Sequence, residues 1–392
     1  MGGRSGSANR ADHRVKRPLI IGGGLAGPAA AIRLAQVGQP PLLVERQAGA
    51  HDKICGEFLS GEAVEQLAAL GVSTTQLGAM PIDRVVLASG HRRVEASLPF
   101  VAHSIRRRTL DAALLAHAAR CGATVQQGIH ARRITAGVVE TDHGTLAEGA
   151  IVLATGKHAM PGMPRRWTSA ERVVDDLVGF KMYLRATPAT RRRLARTVEV
   201  VAYDGGYAGI QLVSPDVINL CLVISKTSLR TIGGEWTALA TRLALESALT
   251  PYLDAEPQLP RPLTISGVPY GYLRRADLSD TVYCIGDQAA VIPSFCGDGM
   301  AIAIHSGVQV AAAVSGRVEP PRFHAELQQA TSGPVGRAMR FQRILRTPWG
   351  RSALLLGFAG IPGMVRLLAR ATRITPPHRP AHDGLDGPMA FS

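Results

Sequence analysis

The stretch from Pro18 to Gln47, PLIIGGGLAGPAAAIRLAQVGQPPLLVERQ, constrains the fold more than any other part of the chain. A short apolar run (Leu19, Ile20, Ile21) meets Gly22-x-Gly24-x-x-Gly27 and passes into alanine-rich sequence that stops at Gly38. A second apolar run (Leu42, Leu43, Val44) then ends on Glu45. This order predicts strand, tight turn, helix, strand. Gly22 permits the turn, Gly24 lets backbone approach a pyrophosphate, and Gly27 lets the helix sit close on the sheet. The helix start, which includes Leu25 and Ala26, offers unpaired N–H groups and a positive dipole end to phosphate. Pro28 falls in the first turn, where its missing N–H costs little. Glu45, followed by Arg46, lies 23 residues beyond Gly22, close to the ~20 residues that place a carboxylate on a ribose. The unit reads as a nucleotide site.

At 392 residues and 46% hydrophobic, the chain can hold two joined domains around a sizeable core. Its cysteines (Cys55, Cys121, Cys221, Cys284, Cys296) are five and scattered, with no C-x-x-C pair. Reduced thiols are expected, and neither a disulfide framework nor a metal site. Met1 to Arg17 is polar and basic, so it is expected to be a disordered leader and not a secretory signal, which suggests a cytoplasmic protein. The longest uncharged apolar run, Ser352 to Val365, has 14 residues and is interrupted by Pro362 and Gly363, too short to span a bilayer. The formal charge of +14 is carried mostly by arginine. Without a helix-turn-helix, zinc finger or aromatic RNA-binding signature, nucleic acid is not the expected partner; anionic lipid or an acidic metabolite fits better.

Downstream, Lys53-Ile54-Cys55-Gly56-Glu57-Phe58-Leu59-Ser60 precedes a helical pattern from Glu62 to Leu70. Arg107 introduces a helix over Leu110 to Cys121, Thr124 to Gln127 reads as a strand, and a hairpin through Asp142-His143-Gly144 leads to the strand Ala150 to Ala154, ending on Thr155-Gly156. From Gly179 the character changes to antiparallel strands: Gly179 to Arg185, Val198 to Tyr203, Gly209 to Val213 and Val217 to Ile224. A helix is expected from Glu235 to Leu249. The strand Val282 to Ile285 then runs into Gly286-Asp287 and a glycine loop, Pro293-Ser294-Phe295-Cys296-Gly297-Asp298-Gly299-Met300, before a helix over Ala301 to Val314. That second loop again aims N–H groups at an anion, and its acid can hold a ribityl hydroxyl.

With both loops in hand, the chain resembles, over roughly residues 18 to 316, the FAD-dependent oxidoreductases that group aromatic-ring (group A) flavoprotein monooxygenases with geranylgeranyl reductase-like enzymes. The resemblance implies an α/β fold: a Rossmann-type, glutathione-reductase-like FAD-binding domain (18–165 and 265–320), an inserted and mostly antiparallel β-sheet substrate domain (166–264 with part of 72–106), and a helical C-terminal extension (321–392). It implies FAD contacts at Gly22, Gly24, Leu25, Ala26, Gly27, Glu45, Arg46, Cys55, Gly56, Arg107, Thr155, Gly156, Gly286, Asp287, Gly297, Asp298, Gly299 and Met300. No second GxGxxG follows, so NADPH or NADH would visit only transiently. Where the monooxygenases carry Asp-Gly, this chain reads Ala154-Thr155-Gly156-Lys157-His158, which questions direct reduction by nicotinamide. Where the reductases carry Tyr-x-Trp-x-Phe-Pro, it reads Tyr207-Ala208-Gly209-Ile210-Gln211-Leu212, which predicts a different substrate pocket. The halogenase motif Trp-x-Trp-x-Ile-Pro is absent, the tryptophans being Trp167, Trp236 and Trp349.

Three residues are candidates for chemistry: Cys55, which the resemblance puts beside the flavin; Glu57, a proton donor or a solvated loop acid; and Tyr207, whose phenol points into a pocket or merely packs. His158 and His305 are weaker, and His305 reads as a core residue. The leading expectation is a monooxygenase that hydroxylates an apolar or aromatic secondary metabolite through a flavin C4a-hydroperoxide. The alternative is a reductase or dehydrogenase moving hydride between flavin N5 and a lipophilic substrate; a flavin carrier is a third. Val335 to Arg373 holds eight arginines and no acid. Arg366, Arg370 and Arg373 share a helical face opposite Leu367 and Leu368, either docked with its arginines in water or resting on membrane.

Overall fold

The computed structural model describes residues 16–165, 176–361 and 363–374. Most of the expected leader, Trp167, Pro362 and the end of the expected C-terminal extension lie outside them. In chain order the elements are β1 (Leu19–Ile21), α1 (Ala26–Gln36), β2 (Leu42–Glu45), β3 (Phe58–Leu59), α2 (Gly61–Ala69), β4 (Met80–Ser89), β5 (Arg92–Ser104), α3 (Arg107–Arg120), β6 (Thr124–Gln127), β7 (Ala131–Thr135), β8 (Val138–Thr141), β9 (Gly144–Leu146) and β10 (Ile151–Leu153). There follow β11 (Leu177–Arg185), α4 (Pro188–Arg193), β12 (Thr197–Tyr203), β13 (Gly206–Ser214), β14 (Val217–Ser225), α5 (Lys226–Thr231), α6 (Trp236–Leu243), α7 (Thr250–Leu253), β15 (Leu263–Ser266) and β16 (Val282–Cys284). The last part is helical: α8 (Gly299–Ser315), α9 (Pro320–Leu345), α10 (Pro348–Gly360) and α11 (Met364–Ala371).

Among these, β16-β10-β1-β2-β6 form a wholly parallel sheet. The continuous apolar runs of β1, β2 and β10 are buried throughout, as strands covered on both faces must be. Helices α1 and α8 pack on each other through small residues: a Cβ at Gly307 would sit 2.4 Å from the Ala26 carbonyl oxygen. The strand order reverses at β1, whose neighbours are β2 and β10, and a crevice opens there beyond the carboxyl ends of the strands.

The second sheet, β15-β11-β14-β13-β12-β4-β5-β3, is antiparallel except for the parallel pair β12 and β4. One face packs with α6 and α7 around Phe180, Ile210, Leu239 and Tyr252. The other faces the parallel-sheet layer and the C-terminal helices. A small antiparallel sheet, β7-β8-β9, completes the set.

Two expectations need correction. The helix expected from Glu235 to Leu249 ends at Leu243 and gives way to turns before Thr250. The long hairpin β4–β5 lies in the 72–106 stretch expected to join the substrate domain in part, but its strands were not expected, because Asp83, Arg84, Arg92, Arg93 and Glu95 interrupt its short apolar runs. Among the described residues no single helix is long and apolar enough to cross a membrane.

Candidate functional site

At the crevice, Gly22 has φ +114°, and a Cβ there would lie 2.5 Å from the Ala154 carbonyl oxygen. Its N–H donates to the Val44 carbonyl (2.8 Å). Gly27 packs harder still, since its Cβ would stand 1.9 Å from the Gly22 oxygen. Gly24 differs: a Cβ would meet only Arg107 Nη2 and Lys53 Nζ, each at 3.7 Å. The turn is closed on the sheet side and open toward two cations. Glu45 Oε2 accepts from the Gly23 N–H (2.5 Å) and Oε1 from the Gln47 N–H (2.9 Å), so its carboxylate sits at the turn, while Arg46 is exposed. Leu25 and Ala26 are buried and offer backbone only.

Asp111, one turn into α3, holds both cations in place. It pairs with Arg107 through two bonds (2.8 and 3.0 Å) and with Lys53 Nζ (2.8 Å). Burial opposes the Arg107 charge, but the Asp111 carboxylate more than compensates and raises its pKa. The same cations hold the buried Asp111 carboxyl below its ordinary value.

The segment Asp52 to Glu57 is tied to the second sheet. Gly56 O accepts from Asn219 Nδ2 (2.8 Å) and from Gln211 Nε2, Lys53 O accepts from Lys181 Nζ (3.0 Å), and the Tyr183 hydroxyl donates to Asp52 (3.3 Å). Glu57 is neither a solvated loop acid nor an accessible proton donor. Its side chain is fully buried, and Oε1 accepts from the Arg107 N–H (2.7 Å), the Tyr183 hydroxyl (2.7 Å) and the equally buried Lys181 ammonium (2.8 Å). Its φ of +58° is unfavourable for a residue with a Cβ; three bonds to one oxygen, one of them ionic, hold it there. Burial and then the Glu57 charge push the Tyr183 phenol up. Cys55 Sγ accepts from the Glu57 N–H (3.4 Å). The bonds made by Lys181, Tyr183, Gln211 and Asn219 span more than a hundred residues, so spacing gave no sign of them; the one available signal was a lysine inside the apolar strand LVGFKMYLR.

Across the crevice, Gln288 Nε2 donates to Thr155 Oγ1 and the Gly156 carbonyl (2.8 Å each), and Arg165 donates to the Gly156 (2.8 Å) and Asp287 (3.1 Å) carbonyls. Thr155-Gly156 and Gly286-Asp287 are thereby joined. Burial disfavours the Lys157 charge, but Asp287 holds its ammonium above the usual lysine range. Burial, then Arg46, Arg165 and Lys157, lowers the His158 pKa. His305 is buried in α8 with its pKa lowered by that burial, in keeping with a core residue.

In the second loop Gly297 has φ +74° and Gly299 opens α8. Met300 is buried in the core. The Asp298 side chain, expected to serve the cofactor, is instead fully buried against Arg373. Burial pushes its carboxyl up to about 7, against the pull of the Arg373 guanidinium. Arg373, expected to share a solvent or lipid face with Arg366 and Arg370, is itself buried and stacks 4.4 Å over the Phe100 ring.

Between this loop and the second sheet lies a cavity of about 190 Å³. Leu87, Val198 and Val200 form its floor and Phe58 and Phe295 one side, while α10 and α11 roof it with Leu354, Phe358, Val365 and Leu368. The polar groups in its wall include Tyr207, Gln211 and Ser294. Ser294 Oγ bonds both the Tyr207 hydroxyl (2.7 Å) and the Tyr270 hydroxyl (3.0 Å). Burial pushes the phenol of Tyr207 well above its ordinary pKa, so it stays protonated. Burial likewise pushes Cys221, also in the wall, up to about 12. Neither Ser294 nor the C-terminal roof was anticipated.

Residues 17–145 match the family model described as FAD binding domain. A digeranylgeranylglycerophospholipid reductase from Methanosphaera stadtmanae is 23% identical over 318 residues, covering 74% of this chain and 75% of that protein. Among solved structures, the myxobacterial chondrochloren halogenase CndH superposes with TM-score 0.72 at 19% identity, covering 92% of this chain and 91% of its own. PqsL from Pseudomonas aeruginosa, described as a probable FAD-dependent monooxygenase, gives 0.65 at 18%, covering 88% and 100%. At such identity the likeness is one of fold. The residues present fit FAD: the turn at Gly24 leaves room at a backbone cradle and presents Arg107 and Lys53 to a pyrophosphate, with Glu45 at the ribose end. The chain carries an FAD-binding domain over residues 17–145 and shares its fold with flavin-dependent enzymes.

Proposed function

We propose that this protein is an FAD-dependent monooxygenase hydroxylating an apolar, ring-containing metabolite. The observation that carries the reading is the cavity beside Gly56 and Gly297. An apolar cavity of about 150 Å³ takes up benzene, so about 190 Å³ suits a single substituted aromatic ring better than a long isoprenoid. Bound and reduced flavin would supply the oxygen activation. The chain's own residues then have four tasks. Gly24, Arg107, Lys53 and Glu45 hold the dinucleotide. The network around Glu57 and Lys181 keeps the Cys55–Gly56 segment rigid, with Gly56 lining the cavity. The apolar walls exclude water. Tyr207 and Ser294 orient a substrate hydroxyl, and the Tyr270 hydroxyl, which donates to Ser294, holds that pair in place.

The test is single turnover of the reduced holoprotein with isotopically labelled dioxygen and a series of substituted phenols. Incorporation of one labelled oxygen into product is expected, and a Tyr207→Phe variant with full FAD should lose most of it. The curated relative favours a second reading, hydride transfer to a lipophilic substrate; a saturated product formed without oxygen would replace the first with it. NADPH or NADH is the proposed transient reductant. Failure of both to reduce the flavin would assign that role to a separate electron donor.

A further inference from the structure

Helices α10 and α11 have two working faces. Their inner side chains roof the cavity. Outward, Trp349 (68% exposed), Leu356 (65%), Ile361 (57%) and Leu367 (69%) stand in solvent. Among the described residues, these are half of the eight large apolar side chains so exposed, gathered on a small part of the chain. Such clustering marks a binding surface where scattered examples would not. Arg366 and Arg370 lie exposed among them, and no acidic residue occurs between Val335 and Arg373. The two helices turn through 120° at their junction, where Gly363 has φ +82°. With 13 and 8 residues, neither spans a bilayer.

We propose that α10 and α11 form an interfacial lid that rests on an anionic lipid bilayer and admits lipophilic substrate from it into the cavity. Apolar side chains at the acyl boundary, an indole at the headgroup level and arginines facing lipid phosphate are the chemistry of an in-plane amphipathic segment. A second copy of this chain would place Arg366 and Arg370 against an equally basic face if the contact were symmetric, so lipid is the better occupant. The inner attachment supports a lid: α11 leads into Arg373, whose pairing with Asp298 fixes the lid's end at the glycine loop. The inference concerns the surface and does not depend on whether the flavin oxygenates or reduces.

The experiment is sedimentation of the full-length holoprotein with vesicles of phosphatidylcholine alone or mixed with phosphatidylglycerol. Quenching of tryptophan fluorescence by brominated acyl chains is read in parallel. Preferential sedimentation with anionic vesicles, weakened by salt, is expected. The Arg366→Glu/Arg370→Glu variant should partition at least about tenfold less, and Trp349→Phe should lose most of the quenching. Both variants must keep wild-type FAD content and circular dichroism, which separates lost binding from lost folding. Equal partitioning of the double variant, no binding to either vesicle, or a lipid-free dimer broken by Leu356→Ser/Leu367→Ser would overturn the proposal.

Discussion

Gly24 and Gly27 lie three residues apart in one motif, yet the structure separates their roles. A Cβ at Gly24 finds ordinary contacts, 3.7 Å from the ends of two long side chains, and its backbone is not in the left-handed region. Gly24→Val should therefore change apoprotein stability by no more than about 0.5 kcal/mol. The isopropyl group fills the space a pyrophosphate must enter, and FAD binding should weaken at least about a hundredfold, or ~2.7 kcal/mol. At Gly27 the Cβ would stand 1.9 Å from the Gly22 oxygen, where real contacts stay beyond 3.0 Å. Helix and turn must part by about 1 Å. That is at or above the upper end of the ~1–3 kcal/mol of ordinary overpacking and outweighs the ~1 kcal/mol that alanine gains over glycine in a helix. Gly27→Ala should lower the apoprotein Tm by about 4 °C or more. The assays are flavin absorbance per protein and thermal melting of flavin-stripped samples. A Gly24→Val protein that purifies with full FAD, or an apoprotein melting as early as Gly27→Ala, would contradict the assignment of Gly24 to the cofactor and Gly27 to the fold.

Three further outcomes follow from buried charges and hydroxyls. Glu57→Gln leaves the fully buried Lys181 ammonium without its counter-charge and should cost about 3–5 kcal/mol, with Glu57→Gln/Lys181→Met recovering much of it in denaturant titrations. The Asp298 carboxyl sits at about 7 where its ordinary value is 3.8, so the folded state favours the protonated acid. Its contribution to apoprotein stability should be fully present below pH 3.8 and fall as pH rises through 7; Asp298→Asn should flatten that part of the profile. Ser294→Ala should leave FAD content unchanged and lower kcat by about tenfold or more if the Tyr207–Ser294 pair orients the substrate hydroxyl. Unchanged turnover across the pH profile would remove them from the reaction.

The nucleotide half of the fold was legible because its signals are local. One strand, one turn and one helix place Gly22, Gly24, Gly27 and Glu45, and backbone geometry dictates each residue type there. Asp111 shows where legibility ends. It was visible as the fourth residue after Arg107, but its hold on Lys53 joins segments that spacing does not relate. Glu57 read as a proton donor or a solvated loop acid and Asp298 as a cofactor contact, and only the folded chain brings Lys181 to one and Arg373 to the other. The hairpin β4–β5 escaped notice because Arg92, Arg93 and Glu95 leave the first half of β5 without an apolar signature. The C-terminal arginines were legible as a charge pattern, whereas the burial of Arg373 depended on the loop it meets.

The most direct test of the central claim is anaerobic reduction of the purified holoprotein with NADPH, NADH or a chemical reductant, then rapid mixing with dioxygen in the presence of a single-ring phenol. Transient oxygenated-flavin absorbance, with transfer of one dioxygen-derived atom to the phenol, is the predicted result. Reoxidation that yields only hydrogen peroxide across the phenol series, together with anaerobic saturation of a lipophilic alkene, would contradict it and make the protein a reductase.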